Sequence, residues 1–330
     1  MLRPRDIRRH SRGSHFIVQN TPLLLAVILL IATLLFYVGL FFTSLGRFPG
    51  NFEITSTING AMPLILSATG QTVVFLSRGI DLSVGGMVDL TNSLAATRMG
   101  DNPISMALWS FVILLVGAAG GLINGLLVTL GRLQPILVTL ATLSIFQGIA
   151  IKVLPQPGGK VPVAYTAFLT NPEHPWALVF VMLFIFLWFI FRRTPFGVAV
   201  YAIGNDEEAA RANGIHVTRT RVGAYVVGGI LAAAAGLFLA ATTTSGDATA
   251  GDSYTLTSIA AAFLGGTTIF GGRGSALGSI AGALVLSIII SVLFFAGINQ
   301  LYEAFYQGMF LVVAVALSML LGRFFGRKRR

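Results

Sequence analysis

Two stretches of the 330-residue chain hold residues whose types and spacing could do chemistry. The first is Ser77-Arg78-Gly79-Ile80-Asp81-Leu82-Ser83-Val84-Gly85-Gly86, a glycine-bounded break between two apolar segments. A carboxylate at membrane depth costs roughly 2.5–3.5 kcal/mol on insertion scales and needs a partner. Arg78 is one candidate, and the free backbone N–H groups at the start of the next helix are another, which would make Asp81 a helix N-cap. Arg78, Asp81, Ser83 and Gly85 therefore form a broken-helix motif that either fixes the break or borders a solute path. Asp89, two turns on, gives a weaker signal.

The second stretch is polar and runs Tyr201-Ala202-Ile203-Gly204-Asn205-Asp206-Glu207-Glu208-Ala209-Ala210-Arg211-Ala212-Asn213-Gly214-Ile215. Asn205 reads as an N-cap with Glu208 as its capping-box partner. Asp206, Glu207 and Glu208 place negative charge on the first turn, where the helix dipole favours it. Ala209, Ala210 and Ala212 favour helix, and Gly214 is a natural stop. The spacing predicts a helix of about two turns outside the bilayer. Such a helix is marginal alone, so it wants a partner. Proline at position 208 is expected to break it.

Other chemistry is missing. There is no G-x-x-x-x-G-K-[ST], H-E-x-x-H or G-x-S-x-G pattern, and the four histidines lie outside the apolar segments. With no cysteine, disulfides, thiolate metal sites and a cysteine nucleophile are excluded. No cofactor or metal is expected, and the chain is not read as an enzyme.

The elements that position these stretches are membrane segments. Of the residues, 55% are hydrophobic and 10% charged, too few charges for an ordinary soluble enzyme. The net charge of +10 gathers at the chain ends and in short loops, which suits membrane orientation and not nucleic acid. Apolar segments lie near 22–45, 55–77, 83–99, 105–130, 135–154, 175–191, 222–244, 255–270, 275–297 and 304–322. The segment 55–77 is interrupted by polar residues, and 83–99 and 255–270 are short for a span of about 20 residues. The expectation is an all-α polytopic membrane protein with about ten transmembrane helices (eight to ten), some short or broken, and both termini cytoplasmic. With ten spans, only Arg47, Arg98, Lys152 and Lys160 of the 22 basic residues fall outside. The domains are a basic N-terminal tail at 1–21, one transmembrane domain at 22–322 with an inner loop at 192–221, and a basic C-terminal tail at 323–330.

Small residues four apart mark close-packed faces: Gly117, Gly121 and Gly125; Gly228, Ala232 and Gly236; Gly274, Gly278 and Gly282. The block Leu264–Ser275 reads as a tight inter-helix turn.

Three motifs in order, Arg78–Gly86, Tyr201–Ile215 and Ile259–Gly282, resemble the permease subunits of ABC-type monosaccharide importers, the ribose/xylose/galactoside branch. The resemblance covers nearly the whole chain. It implies a multi-pass permease of the bacterial inner membrane that works with a second permease copy or a related chain. It further implies a cytoplasmic ATPase subunit, a periplasmic sugar-binding protein and a monosaccharide substrate. Asn205–Gly214 would then be the coupling helix, with Asn205, Asp206, Glu207, Glu208, Ala209, Ala210, Arg211 and Gly214 meeting the ATPase. Three departures stand out: Arg78-Gly79 replaces Gly-Gly, Gly204-Asn205-Asp206 shifts a Gly-Gly-Asn pattern, and Tyr254-Thr255-Leu256-Thr257 lacks both carboxylates of Tyr-Glu-Leu-Asp. The last, expected near the outer mouth, bears on binding-protein docking or substrate class. The competing class is a self-sufficient secondary transporter or channel for a small polar solute, which often needs ionisable residues in its spans.

Overall fold

A computed structural model describes residues 12–298 except 175, and positions 302, 305, 306, 308, 309 and 312. The segment 304–322 and both basic tails lie wholly or largely outside the described residues. Twelve helices follow one another: α1 (Arg12–Leu45), α2 (Asn51–Leu76), α3 (Val84–Arg98), α4 (Pro103–Thr129), α5 (Pro135–Val153), α6 (Val163–Thr170), α7 (Trp176–Phe191), α8 (Pro195–Asn205), α9 (Glu207–Ala212), α10 (Val217–Thr243), α11 (Asp252–Leu264) and α12 (Ala276–Phe295).

Among the described residues six helices are long and apolar enough to cross a membrane: α1, α2, α4, α5, α10 and α12. A seventh span would combine α7 with α8, which bend by 74° at their junction. This is fewer than ten. The difference lies in the segment 304–322, largely outside the described residues, and in α3 and α11, whose 15 and 13 residues reach only about 22 and 20 Å at helical rise, short of a hydrocarbon core of about 30 Å. The interrupted segment 55–77 is in fact a continuous 26-residue helix, α2, with Pro63 inside it. Its polar residues are tolerated because most residues of α2 are buried within the protein, whereas few of α1 are, and α1 shows its leucines to the surroundings.

Packing radiates from α10, which lies against α4, α2 and α3. A Cβ on Gly121 would overlap the Tyr225 carbonyl, and one on Gly125 would come within 2.9 Å of the Val222 backbone. The α4 stripe thus meets α10 backbone to backbone, which in lipid is the main way that helices gain contact. On α10 the facing residue is Gly229, while Gly228 meets Gly70 of α2 and Gly236 meets α3. Gly278 and Gly282 abut Gly265 and Ala261 of α11. Gly274 does not share that stripe: it precedes α12, at φ +149°, and packs on Thr267. The turn at 265–275 uses left-handed backbone at Gly266, Gly271 and Gly272.

Candidate translocation core and coupling helix

The α2–α3 break is held by a buried polar network. Asp81 is 2% exposed. Its Oδ1 accepts from the Ser83 backbone N–H at 2.9 Å and from Ser83 Oγ at 2.6 Å. The carboxylate therefore closes the loop just ahead of α3, whose own N-cap, Ser83, offers no side-chain bond. Gln71 Nε2 donates to the Asp81 carbonyl, Tyr225 Oη to the Ile80 carbonyl at 3.1 Å, and Asn124 Nδ2 to Ser83 Oγ at 2.8 Å. Irregular backbone inside a membrane protein survives only where other groups satisfy it. Here α2 and α10 each supply a donor to a backbone carbonyl, and α4 supplies one to the Ser83 hydroxyl.

Arg78 is not the partner of Asp81. Its Nε and Nη2 donate to the carbonyls of Gly204 and Asn205 at 3.0 and 2.9 Å, at the C-terminal end of α8, where the helix dipole favours a cation. Arg78 itself holds φ 61°, just past the end of α2, which turns its side chain away from the loop that follows.

A second irregular stretch, 244–251, runs back along α3. Gly246 packs on Ala96, the Asp247 N–H donates to Asn92 Oδ1 at 2.7 Å, and the Gly251 N–H donates to Asp89 Oδ1 at 2.5 Å. Asp89 thus pins the entry to α11. This course also carries Thr255 inward: it is 9% exposed and lies against Gly85, while its neighbour Leu256 is exposed. Gly85 is where that contact requires a residue without a side chain, since a Cβ would overlap Thr255 Oγ1. Around these two stretches, Gln71 Oε1, Asp89 Oδ2, Ser93 Oγ, Asn124 Oδ1 and Thr255 Oγ1 are buried without a hydrogen-bond partner. The sequence reading missed Gln71, Asn92, Asn124 and Tyr225. Their signal was a polar or hydroxyl group inside an apolar segment.

At the other site the segment 192–221 contains α8, α9 and the start of α10. Thr194 caps α8 through Gly197 N at 3.0 Å. The cap of α9 is Asp206, whose Oδ1 accepts from Ala209 N at 3.0 Å. Asn205 is one residue too early: it ends α8, and its amide donates to the Tyr201 and Gly272 carbonyls at 2.9 and 3.4 Å. The helix is accordingly six residues long. Its far end is closed by Gly214 at φ 81°, with Ile215 N–H bonded to Ala210 O and Gly214 N–H to Arg211 O, a Schellman motif.

Ala210 anchors α9 by packing on Ile203 and Val217, while Glu208, Ala209, Arg211 and Ala212 are exposed. Glu207 ties α9 to α10 through Arg221 Nη2 at 2.7 Å and binds Arg211 Nη2 at 3.0 Å. The Arg221 hydrogen bond, aided by Arg211, holds the Glu207 carboxyl below its ordinary range. Among the described residues no group of three or more His, Cys, Asp or Glu could hold a metal ion.

Comparison with known proteins gives this architecture a setting. Residues 54–315 match the family described as branched-chain amino acid transport system / permease component. The ribose import permease protein of Bacillus subtilis is 37% identical over 77% of this chain and 80% of its own length. That of Escherichia coli K12 is 32% identical over 89% and 92%. The fructose import permease protein of Rhizobium meliloti is 32% identical over 90% and 84%. No solved structure matches.

Proposed function

The chain belongs to the branched-chain amino acid transport system / permease component family, and on that premise we propose that it is the membrane-spanning permease subunit of an ATP-binding-cassette importer for a monosaccharide. The cargo is a pentose, hexose or related small sugar, moved across a bacterial inner membrane by alternating access. ATP is hydrolysed by a separate cytoplasmic subunit, so this chain performs no covalent chemistry. A second permease, identical or related, completes the pathway, and a periplasmic sugar-binding protein delivers the substrate.

The observation that carries the reading is the chain-long likeness to import permeases whose names specify ribose and fructose. The geometry adds two supports. First, α9 is a helix capped at both ends and exposed on one face, suited to transmit a push from an ATPase to α10 through Glu207 and Arg221. Second, the unpartnered oxygens of Gln71, Asp89, Ser93, Asn124 and Thr255 offer what a sugar's hydroxyl groups require. Asp81 and Asp89 each commit one carboxylate oxygen to closing irregular backbone, a structural role that ion coupling in a secondary transporter does not require of them.

In this reading the C-terminal end of α8, α9, Arg78 and Arg132 face the cytoplasm together with both termini. Reconstitution in vesicles with the ATPase and binding protein tests the whole. ATP-dependent sugar accumulation that requires all components is expected. Accumulation by this chain alone, driven by an ion gradient, would overturn the proposal.

A further inference from the structure

A cavity of about 540 Å³ opens between the end of α2, the α4–α5 turn, α9 and the start of α10. Four arginines line it, Arg78, Arg132, Arg211 and Arg221, against one acid, Glu207. Glu207 is shared by Arg211 and Arg221. Arg78 rests on neutral carbonyls. The Arg132 guanidinium has no partner among the described residues. The cavity therefore carries an excess of positive charge that the chain itself does not neutralise.

Its backbone is unusual as well. Among the described residues only three that are not glycine hold left-handed backbone, Arg78, Arg132 and Thr244. Two of the three line this cavity. A helix commonly ends in glycine at such a position. Arginine there is strained, and strain that is retained at a binding site points to use of the side chain.

One wall is apolar. Leu133 and Pro135 line the cavity, and Leu130 and Leu133 of the α4–α5 turn and Leu137 of the first turn of α5 are exposed beside it in sequence. A cationic cavity opening onto an apolar helix face has the two chemistries of an acidic lipid, and basic pockets between membrane helices on the cytoplasmic side are known to take such headgroups. We propose that this cavity binds the phosphate of an anionic phospholipid of the cytoplasmic leaflet, with the acyl chains lying along Leu130, Leu133 and Leu137. The leaflet rests on the orientation proposed above. Because Arg211 and Glu207 belong to α9, a bound lipid would brace the coupling helix against α10.

Native mass spectrometry of the full-length chain, released from detergent with phosphatidylglycerol or phosphatidylcholine, tests this. Phosphatidylglycerol is expected to be retained about fivefold more than phosphatidylcholine, the scale of one basic residue near an acidic lipid surface. Arg132→Gly suits the left-handed backbone, so it is expected to keep the melting temperature while losing that preference. Arg132→Lys is expected to keep most of it. Equal retention of the two lipids, or an unchanged preference in Arg132→Gly, would overturn the proposal. Loss of bound lipid to millimolar inorganic phosphate would also overturn it, by assigning the cavity to a free anion. So would a photoreactive benzophenone residue at position 133 that cross-links to the ATPase and not to lipid. Orientation is read separately: the chain lacks cysteine, so a single cysteine at 208 that reacts from the outer side would sink the orientation without touching the lipid result.

Discussion

Asp81 and Asp206 do the same local work in opposite surroundings. Each is an aspartate at a chain break whose Oδ1 accepts a backbone N–H two or three residues on, at 2.9 and 3.0 Å. Asp81 is buried and sits in a network drawn from α2, α4 and α10. Asp206 is exposed, and the helix that it caps is braced by one buried alanine and one ion-paired glutamate. The difference teaches that the cap is a local device, while its energetic weight is set by burial. A lost acceptor in the interior leaves an N–H that no water reaches, whereas one at the surface is replaced by solvent.

Substitutions can break or sharpen that contrast. The largest effect is expected from Ala210→Pro. It removes the Ala210 N–H bond to Asp206 O and places a ring against that carbonyl, at about 3 kcal/mol for the helix. Sugar uptake should uncouple from ATP hydrolysis while the protein remains inserted. Glu208→Pro, by contrast, falls in the first turn of α9, where the N–H has no intrahelical acceptor. The sequence reading expected that variant to break the helix. With the cap at Asp206, near-normal coupled uptake is expected instead.

Next is Asp81→Ala, which strands the Ser83 N–H in the interior at about 1–3 kcal/mol. Thermal unfolding in detergent should show the loss, and Asp81→Asn, which keeps an acceptor, should restore most of it. A failure of Asn to restore transport in a folded protein would mean that the charge itself serves the pathway. Asp206→Ala should cost about 1 kcal/mol, the usual worth of an exposed cap. Hydrogen exchange should show that cost confined to α9 and absent from α3.

The smallest effect concerns pH. Glu207 titrates below its ordinary range because of Arg221 and then Arg211. Its contribution is therefore fully present above the ordinary carboxylate pKa and is lost only as pH falls through the lowered value. Stability should be flat from neutral pH to mildly acidic pH and decline below that. Glu207→Gln should remove that decline.

Much of the helical framework was legible from runs of apolar residues, because lipid-facing and core-facing segments both demand them. Nine of the ten apolar segments coincide with helices, and the tenth lies largely outside the described residues. The shortness of 83–99 and 255–270 was legible too. The continuity of 55–77 was not, since its polar residues look like interruptions until the neighbours that bury α2 are known. The α9 cap was misplaced by one residue for a similar reason. Asn205 and Asp206 are both good caps in isolation; in the fold Asn205 ends α8, its amide donating to the Tyr201 carbonyl and, 67 residues away, the Gly272 carbonyl, and Asp206 takes the cap.

By itself the sequence settled what short-range chemistry settles: where helices run, that Gly214 stops α9, and that the breaks near 77–83 and 205–206 carry side chains able to cap the helix that follows. The tertiary structure alone decided which distant groups complete them: Gln71, Asn124 and Tyr225 for one, Arg221 and Ala210's neighbours for the other. It also sent Arg78 to α8 and away from Asp81. A backbone N–H finds its cap within a few residues, so the chain order encodes it. A side chain's long-range partner depends on how whole helices pack, and no local pattern records that.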